Sequence, residues 1–559
     1  MNRELFGVFG DFETFTSYRS PDEFTEIVET EQGTVGIRDP DLGTEGWSSI
    51  HRSADGACLI QGELYPPEHI EKPSAEWLLE AFLDEGRAAF SRLNGSYLLF
   101  LGTGEEAMVV TDPIRSRECY YTDDGIVVFG TDAAKVGSVI SSPRIRREAV
   151  LEYLHLGVML GEKTSLESLD RLLMDSMLTP SGTVSLRRFV YDEKEFDYPA
   201  ELATRLGRAF ERRAGLPGRK GLLLSAGYDS RAILANIPAI QECYTVGARD
   251  TQEVVGAHRL ANQYDTPHTT FEPDREYLFP NADKVRYAQG TKESLHIHHA
   301  GFTDEIEADV LYHGLLCDTF FRGHFTAEKH IDLFDKRIPL GGPDPDPNPV
   351  GHLLDKFGYD RTASVALAEH TGLDERPHPV VRNAVKTELE CAQERADSVQ
   401  NAINACGIGN QPSMPFHTQI VDNYLGSFLP ADIELINWHL ETPPEWRTTR
   451  TFLQSCKRLD PEMTRYPPAD RPHESHLRNE LERFIRRQIP MLESFEPPWP
   501  DREAMFTHYG FDHRLLPEFP HLHEPLPARH KLRIHDLLEW LQQTSPAAAQ
   551  SFRDLLSPR

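Results

Sequence analysis

Within a chain of 559 residues, the stretch GLLLSAGYDSR at 221–231 holds the residue types that could do chemistry. Ser225 and Ser230 offer hydroxyl donors, Gly227 permits a tight small-residue turn, and Asp229 brings a carboxylate. Backbone N–H groups converge in such a turn, and the dipole of a following helix favours negative charge, so the pattern makes an anion site. A carboxylate beside a bound phosphate suits a Mg²⁺ ligand. The alternative from the spacing alone is an ordinary strand–helix turn in which Asp229 and Ser230 cap the helix.

Those groups need a strand, a turn and a helix N-terminus to hold them, and the sequence supplies all three. Three leucines at 222–224 read as a short strand buried on both faces of a parallel sheet. A helix is expected over 231–237, ended by Pro238. Three further units follow: a strand at 242–246 with a helix at 251–264, a strand at 268–271 with helical sequence at 283–299, and a strand at 309–313 stopped by Gly314. This alternation predicts a parallel, doubly wound α/β sheet with its ligand at the C-terminal strand edge.

The loop resembles the S-G-G-x-D-S pyrophosphate loop of the asparagine synthetase family, with Ser225, Gly227, Asp229 and Ser230 matching and Ala226 replacing the first glycine. A second stretch, HGLLCDTFFRG at 313–323, resembles S-G-E-G-A-D-E-L-F-G-G of that family at Gly314, Asp318, Phe321 and Gly323. The resemblance implies ATP bound at Ser225, Ala226, Gly227, Tyr228, Asp229 and Ser230, with Mg²⁺ held between Asp229 and Asp318. It also implies an adenine and ribose pocket lined by Leu223, Leu224, Val246, His313 and Gly314, with plain sheet core as the alternative for Leu223. Leu315 stands where the family carries a Glu near the reacting carboxylate, and Thr319 replaces the second acid. Leu can neither move a proton nor hold a charge, so the phosphate-binding frame is better kept than the acid–base equipment. No catalytic residue is assigned. Arg447, Arg450 and Lys457 are the cations near the stretch where the family has K-x-x-L-R.

Residues 1–192 are strand-rich, with strands expected at 5–9, 57–61, 97–101, 107–111, 126–130 and 182–189 and helices at 74–90 and 147–157. An α+β domain of stacked strands with flanking helices follows. The phrases QGELY (61–65), LNGSY (93–97), the run 112–121 and VFGTD (128–132) resemble the glutaminase domain of class II amidotransferases, which implies an N-terminal-nucleophile-like fold. That family attacks with an N-terminal cysteine whose own amine is the base. Here position 2 is Asn2, the first cysteine is Cys58, and Gln61 and Thr111 stand at the family's Asn and Arg. The expectation is a degenerate glutaminase-like scaffold over 1–192 and an ATP pyrophosphatase domain with helical extensions over 193–559.

The chain carries 88 acidic against 58 basic residues, a net charge of −30, and only 13 of the basic residues are Lys. Acid-rich, Lys-poor surfaces stay hydrated at high salt, so a salt-adapted cytoplasmic protein is expected. The same charge argues against nucleic-acid binding, which needs basic patches. Seven scattered cysteines without a CxxC pattern argue against zinc or a disulfide framework. No signal-peptide pattern opens the chain, and no run of about 18 apolar residues could span a membrane. His296, His298 and His299 read as packed or surface histidines rather than metal ligands. GGPDPDPNP at 341–349 is expected as an exposed loop, 382–405 as one long amphipathic helix, and 532–556 as holding one helix. The run 412–430 resembles the family's P-F-L-D segment, with His417 near the family Asp.

The function implied by the resemblance is an ATP-dependent amide-forming ligase: carboxylate adenylation, pyrophosphate release, then attack by an amine or ammonia. Its expected partners are a small-molecule carboxylate and an amine or ammonia donor, with a second copy of the chain as a further candidate. Leu315 and Asn2 favour the alternative of a nucleotide-binding pseudoenzyme or scaffold. A sulfur-transfer enzyme is a third reading that no nearby cysteine pair supports.

Overall fold

Strand Tyr97–Thr103 is apolar on both faces: Leu98 and Phe100 enter one core, while Tyr97, Leu99 and Leu101 enter another. A strand of that kind must lie inside a stack of layers. The computed structural model, which describes every residue except 68–69, 334–335, 374–375, 474, 490, 497–498 and 559, shows that stack. Among the described residues its first twelve strands are β1 (Glu4–Val8), β2 (Glu26–Thr30), β3 (Gly33–Arg38), β4 (Ser49–Arg52), β5 (Gly56–Gly62), β6 (Tyr97–Thr103), β7 (Ala107–Thr111), β8 (Tyr120–Thr122), β9 (Val128–Gly130), β10 (Asp170–Arg171), β11 (Ser176–Thr179) and β12 (Gly182–Ser185). They form two antiparallel sheets, in the orders β10-β8-β9-β1-β3-β2 and β12-β11-β7-β6-β5-β4. Leu5, Val35 and Phe129 of the first sheet meet Leu59, Phe100 and Val109 of the second between them. The outer face of the second sheet is covered by helix Ser74–Glu85 through Trp77, Leu78 and Phe82. The outer face of the first, with Phe6, Val8 and Val128, joins helix Arg147–Leu156 and the last helices of the chain in one core. Helix, sheet, sheet, helix is thus the layering over the first third of the sequence.

The second architecture is a parallel sheet in the order β15-β14-β13-β16-β19, built from β13 (Lys220–Leu223), β14 (Ile240–Val246), β15 (His268–Phe271), β16 (Val310–Tyr312) and β19 (Leu425–Ser427). Adjacent residues of β13 serve opposite cores: Leu222 packs with Leu202, Phe210 and Phe452, whereas Leu223 packs with Tyr244, Leu311 and Phe416. Both faces are therefore covered, as the run of leucines requires. Successive strands run outward from β13 to one side as β14 and β15, then to the other as β16 and β19. The order reverses between β13 and β16, and a crevice opens beyond strand ends at such a switch point.

Several expectations change. The helix after the loop begins at Tyr228, not 231, and runs to Asn236. A fifth parallel strand, β19, was not expected; three residues are too short to show a pattern. The run 283–299 is not one helix, because Gln289 turns left-handed at φ 56° after helix Ala282–Ala288 and a single 3₁₀ turn, Ser294–His296, follows. The run 382–405 is split into helices Pro377–Gln393 and Val399–Gly409, the second capped by Ser398. Two helices, Ala528–Thr544 and Pro546–Leu556, replace the one expected in the tail. Finally, GGPDPDPNP is only partly loop: its first three residues end β18 (Lys336–Pro343), which pairs with β17 (Glu328–Leu333), and Pro349 begins a helix.

Candidate functional site

A cavity of about 300 Å³ occupies the crevice between the ends of β13 and β16. Leu223, Leu224, Ser225, Asp229 and Ser230 line it from the first strand and loop, and Val246 from β14. His313, Gly314 and Asp318 line it from the segment after β16. These nine of the sequence-derived residues converge. Ala226, Gly227 and Tyr228 belong to the same turn but do not face the cavity: Ala226 is buried, and its Cβ packs where helix Gln252–Gln263 presents Gly256.

The turn is braced from within. Ser225 N–H donates to Ser230 Oγ at 3.0 Å, the two serine hydroxyls lie 2.9 Å apart, and Gly227 N–H donates to Ser225 Oγ at 3.2 Å. Ala226 N–H donates to Glu253 at 2.8 Å, and Arg231 donates to Ala226 O at 2.8 Å. Loop N–H groups of 225–227 thus already have acceptors. The open donors are those of the following helix, whose N-cap, Gly227, has no side chain to satisfy them. Asp229 sits inside the first helical turn and is not its cap. The N–H groups left open at this edge are thus those of the helix N-terminus, not those of the loop.

The two carboxylates do meet at one edge, and Gly314 is why. A Cβ at Gly314 would stand 2.8 Å from both Asp229 Cβ and Ser230 N, so only glycine lets the two loops approach. Leu316 follows at φ 64°, a left-handed conformation costly for leucine, and turns the chain into the short helix Cys317–Phe321 that carries Asp318. Asp229 Oδ2 accepts from Arg322 at 2.6 Å, while its Oδ1 is buried with no hydrogen-bond partner. Burial pushes Asp229 up to about 6 against the pull of Arg322. Asp318 lies 3.4 Å from His324; enclosure works against its charge, but His324 and Arg322 hold it below the usual carboxylate range. An orphaned carboxylate oxygen beside a second acid is a donor set that fits a hard divalent cation.

Other wall residues were not foreseen. Thr245, Glu253, Leu316, Ser413, Phe416 and Trp499 line the cavity, beside Leu315, which the sequence places near the reacting group. Burial raises Glu253 to about 6, opposed by the Ala226 N–H it accepts. His296, His298 and His299 do not share an α-helical face; they form part of the cavity wall, with His298 stacked on Trp499 at 3.8 Å and 6°. Among the described residues no cluster of three or more His, Cys, Asp or Glu has metal-binding geometry.

Gln61, from the phrase that resembles the glutaminase domain, lines a second and smaller cavity. This cavity of about 40 Å³, lined by Met1, Arg3, Gln61, Ser116, Arg117 and Glu118 among others, contains no cysteine.

No protein-family model matches the chain, and no curated protein sequence matches it. Among solved structures, it is similar at 12% identity and a TM-score of 0.22 to glutamine phosphoribosylpyrophosphate amidotransferase from B. subtilis complexed with ADP and GMP, over 48% of this chain and 65% of that one. The alignment therefore spans less than two-thirds of that protein. A structure of the allosteric regulatory enzyme of purine biosynthesis aligns at 13% identity and a TM-score of 0.22, over 64% of this chain and 88% of the other.

Proposed function

We propose that the chain is an ATP-dependent ligase that adenylates a carboxylate and transfers the acyl group to an amine or ammonia. The observation that carries this reading is the crevice beyond β13 and β16, where an uncapped helix N-terminus, Ser225, Ser230 and two converging carboxylates face one cavity. The helix and hydroxyls would hold phosphate oxygens, and Arg322 adds a cation within reach of Asp229. Asp229 and Asp318 would hold Mg²⁺, which when bound neutralises charge on the departing pyrophosphate. Leu223, Leu224, Val246 and Phe416 offer the apolar wall that a purine needs. A carboxylate oxygen attacks the α-phosphorus, pyrophosphate leaves, and an amine then displaces AMP from the acyl carbon.

A second reading, nucleotide binding without ligation, is favoured by Leu315 in the wall where an acid would serve chemistry. Pyrophosphate release from ATP·Mg²⁺, measured against a panel of carboxylic acids, separates the two. Acid-dependent release supports the ligase. ATP affinity with no release from any acid supports the second reading.

A further inference from the structure

A buried hydrogen-bonded chain leaves the cavity wall and ends at a carboxylate in the sandwich. His313, directly after β16, has Nε2 3.1 Å from Nδ1 of His417 on helix Met414–Asn423. His417 Nε2 lies 3.4 Å from Ser96 Oγ, which lies 2.6 Å from Ser116 Oγ, and Ser116 Oγ donates to Asp112 Oδ2. All five side chains are buried. Ser116 also lines the 40 Å³ cavity, so the chain joins the two cavities.

Both ends dictate the same direction. At one end the Leu315 N–H, which can only donate, points at His313 Nδ1 at 3.3 Å, so the ring proton sits on Nε2 and is offered to His417 Nδ1. His417 must then carry its proton on Nε2, facing Ser96. At the other end the single Ser116 proton goes to Asp112, so Ser96 donates to Ser116 and accepts from His417. Every donor points from the nucleotide cavity toward Asp112.

We propose that His313, His417, Ser96, Ser116 and Asp112 form a one-way proton relay that makes His313 the base for the amine step of the ligase reaction. The proposal rests on the ligase reading. When the amine nitrogen bonds to the acyl carbon, the C–O bond to AMP breaks and AMP leaves with its electron pair. The surplus proton on nitrogen passes to His313 Nδ1, displacing the long Leu315 contact. His313 Nε2–H passes to His417, His417 Nε2–H to Ser96, and so on, until one proton rests on the Asp112 carboxylate. Ser116 borders both Asp112 and the small cavity, so that proton leaves Asp112 for the cavity through the Ser116 hydroxyl as the wire resets. Burial raises the affinity of Asp112 for that proton even against its Ser116 hydrogen bonds, and burial holds both rings neutral between turnovers, with His313 down at about 3. Charged and titratable groups facing the chain include Arg117 beside His417 and Asp112, Arg188 and Tyr97 beside Asp112, and His299 beside His313. His313 alone touches the reacting atoms; His417, Ser96, Ser116 and Asp112 act through it.

The test separates the two half-reactions in the full chain. Ser96→Ala breaks the relay at a small buried hydroxyl. With the carboxylic acid that best supports pyrophosphate release and with ammonium chloride as amine source, Ser96→Ala should keep the parent rate of ATP–pyrophosphate exchange. It should lose tenfold or more in amide formation, with Ser96→Thr restoring it. Unchanged amide formation in Ser96→Ala overturns the relay. Histidine ¹⁵N spectra give a readout free of turnover: both rings should be neutral Nε2–H tautomers, and His417 should shift in Ser96→Ala. An Nδ1–H tautomer on either ring overturns the relay. If no acid supports exchange in the parent protein, the ligase reading fails and with it the role of the wire, whatever the tautomers.

Discussion

Asp229 and Asp318 lie 89 positions apart, and each should be needed for ATP·Mg²⁺. Asn keeps the shape and removes the charge, so Asp229→Asn and Asp318→Asn should each weaken binding by roughly a hundredfold, about 3 kcal/mol. Calorimetric titration reads this directly, and near-parent affinity in both variants would remove the site. Asp229 adds a pH dependence whose sign follows from its proton. Because burial raises it to about 6, a proton competes with the cation below that value. Affinity should be full above about pH 7 and fall by up to tenfold per unit below pH 6, a slope that Asp229→Asn flattens. The sequence disclosed the residues that share one loop or one motif: Ser225, Asp229, Ser230, Gly314 and Asp318. It did not disclose Trp499, which reaches the cavity from an element far along the chain and carries no local pattern, nor that Phe416, inside a segment the sequence did match, would form part of the wall. Nor did it disclose that Arg322, four residues from Asp318, would pair with Asp229.

At the scale of elements, one buried long-range tie joins helix Ala528–Thr544 to Glu293. That carboxylate meets Arg533 at 2.8 Å and Arg529 on its other oxygen, with Glu293 and Arg533 both buried. Burial opposes its charge, yet Arg533 and Arg529 hold it well below the usual carboxylate range. A depressed carboxyl stabilises the fold above its unfolded pKa and loses that contribution as pH falls. Glu293→Gln should therefore cost about 3–5 kcal/mol at pH 7 by leaving buried guanidinium charge uncompensated. Urea unfolding should show the gap narrowing below about pH 4. Strands such as β6 and β7 were readable because each is a short continuous apolar run, buried on both faces. The helix breaks were harder. Ser398 and Ser545 cap new helices inside runs whose apolar period continues across the break, so periodicity alone joins what capping divides.

Across the whole molecule, 88 acidic residues against 58 basic leave a net −30 that salt must screen. Thermal unfolding followed from low to molar KCl should show a rising midpoint; a flat or falling one would refute salt adaptation. The small cavity where glutamine chemistry was looked for leads to a second expectation. With no thiol in its wall, it should support no release of glutamate from glutamine, with or without ATP. Steady release would mean that another nucleophile acts.

Helix Ala528–Thr544 also packs on helices Ala133–Gly137 and Arg147–Leu156, closing the outer layer over the first sheet. Some 370 residues separate that lid from the helices it covers. A ribosome adding about 5–20 residues per second needs roughly 20–75 s to supply it. For that interval the apolar side of Val150, Tyr153 and Leu154 has no native cover on the nascent chain. The two sheets can therefore close on each other during synthesis, but the outer helical layer over the first sheet must wait for the helix at 528–544.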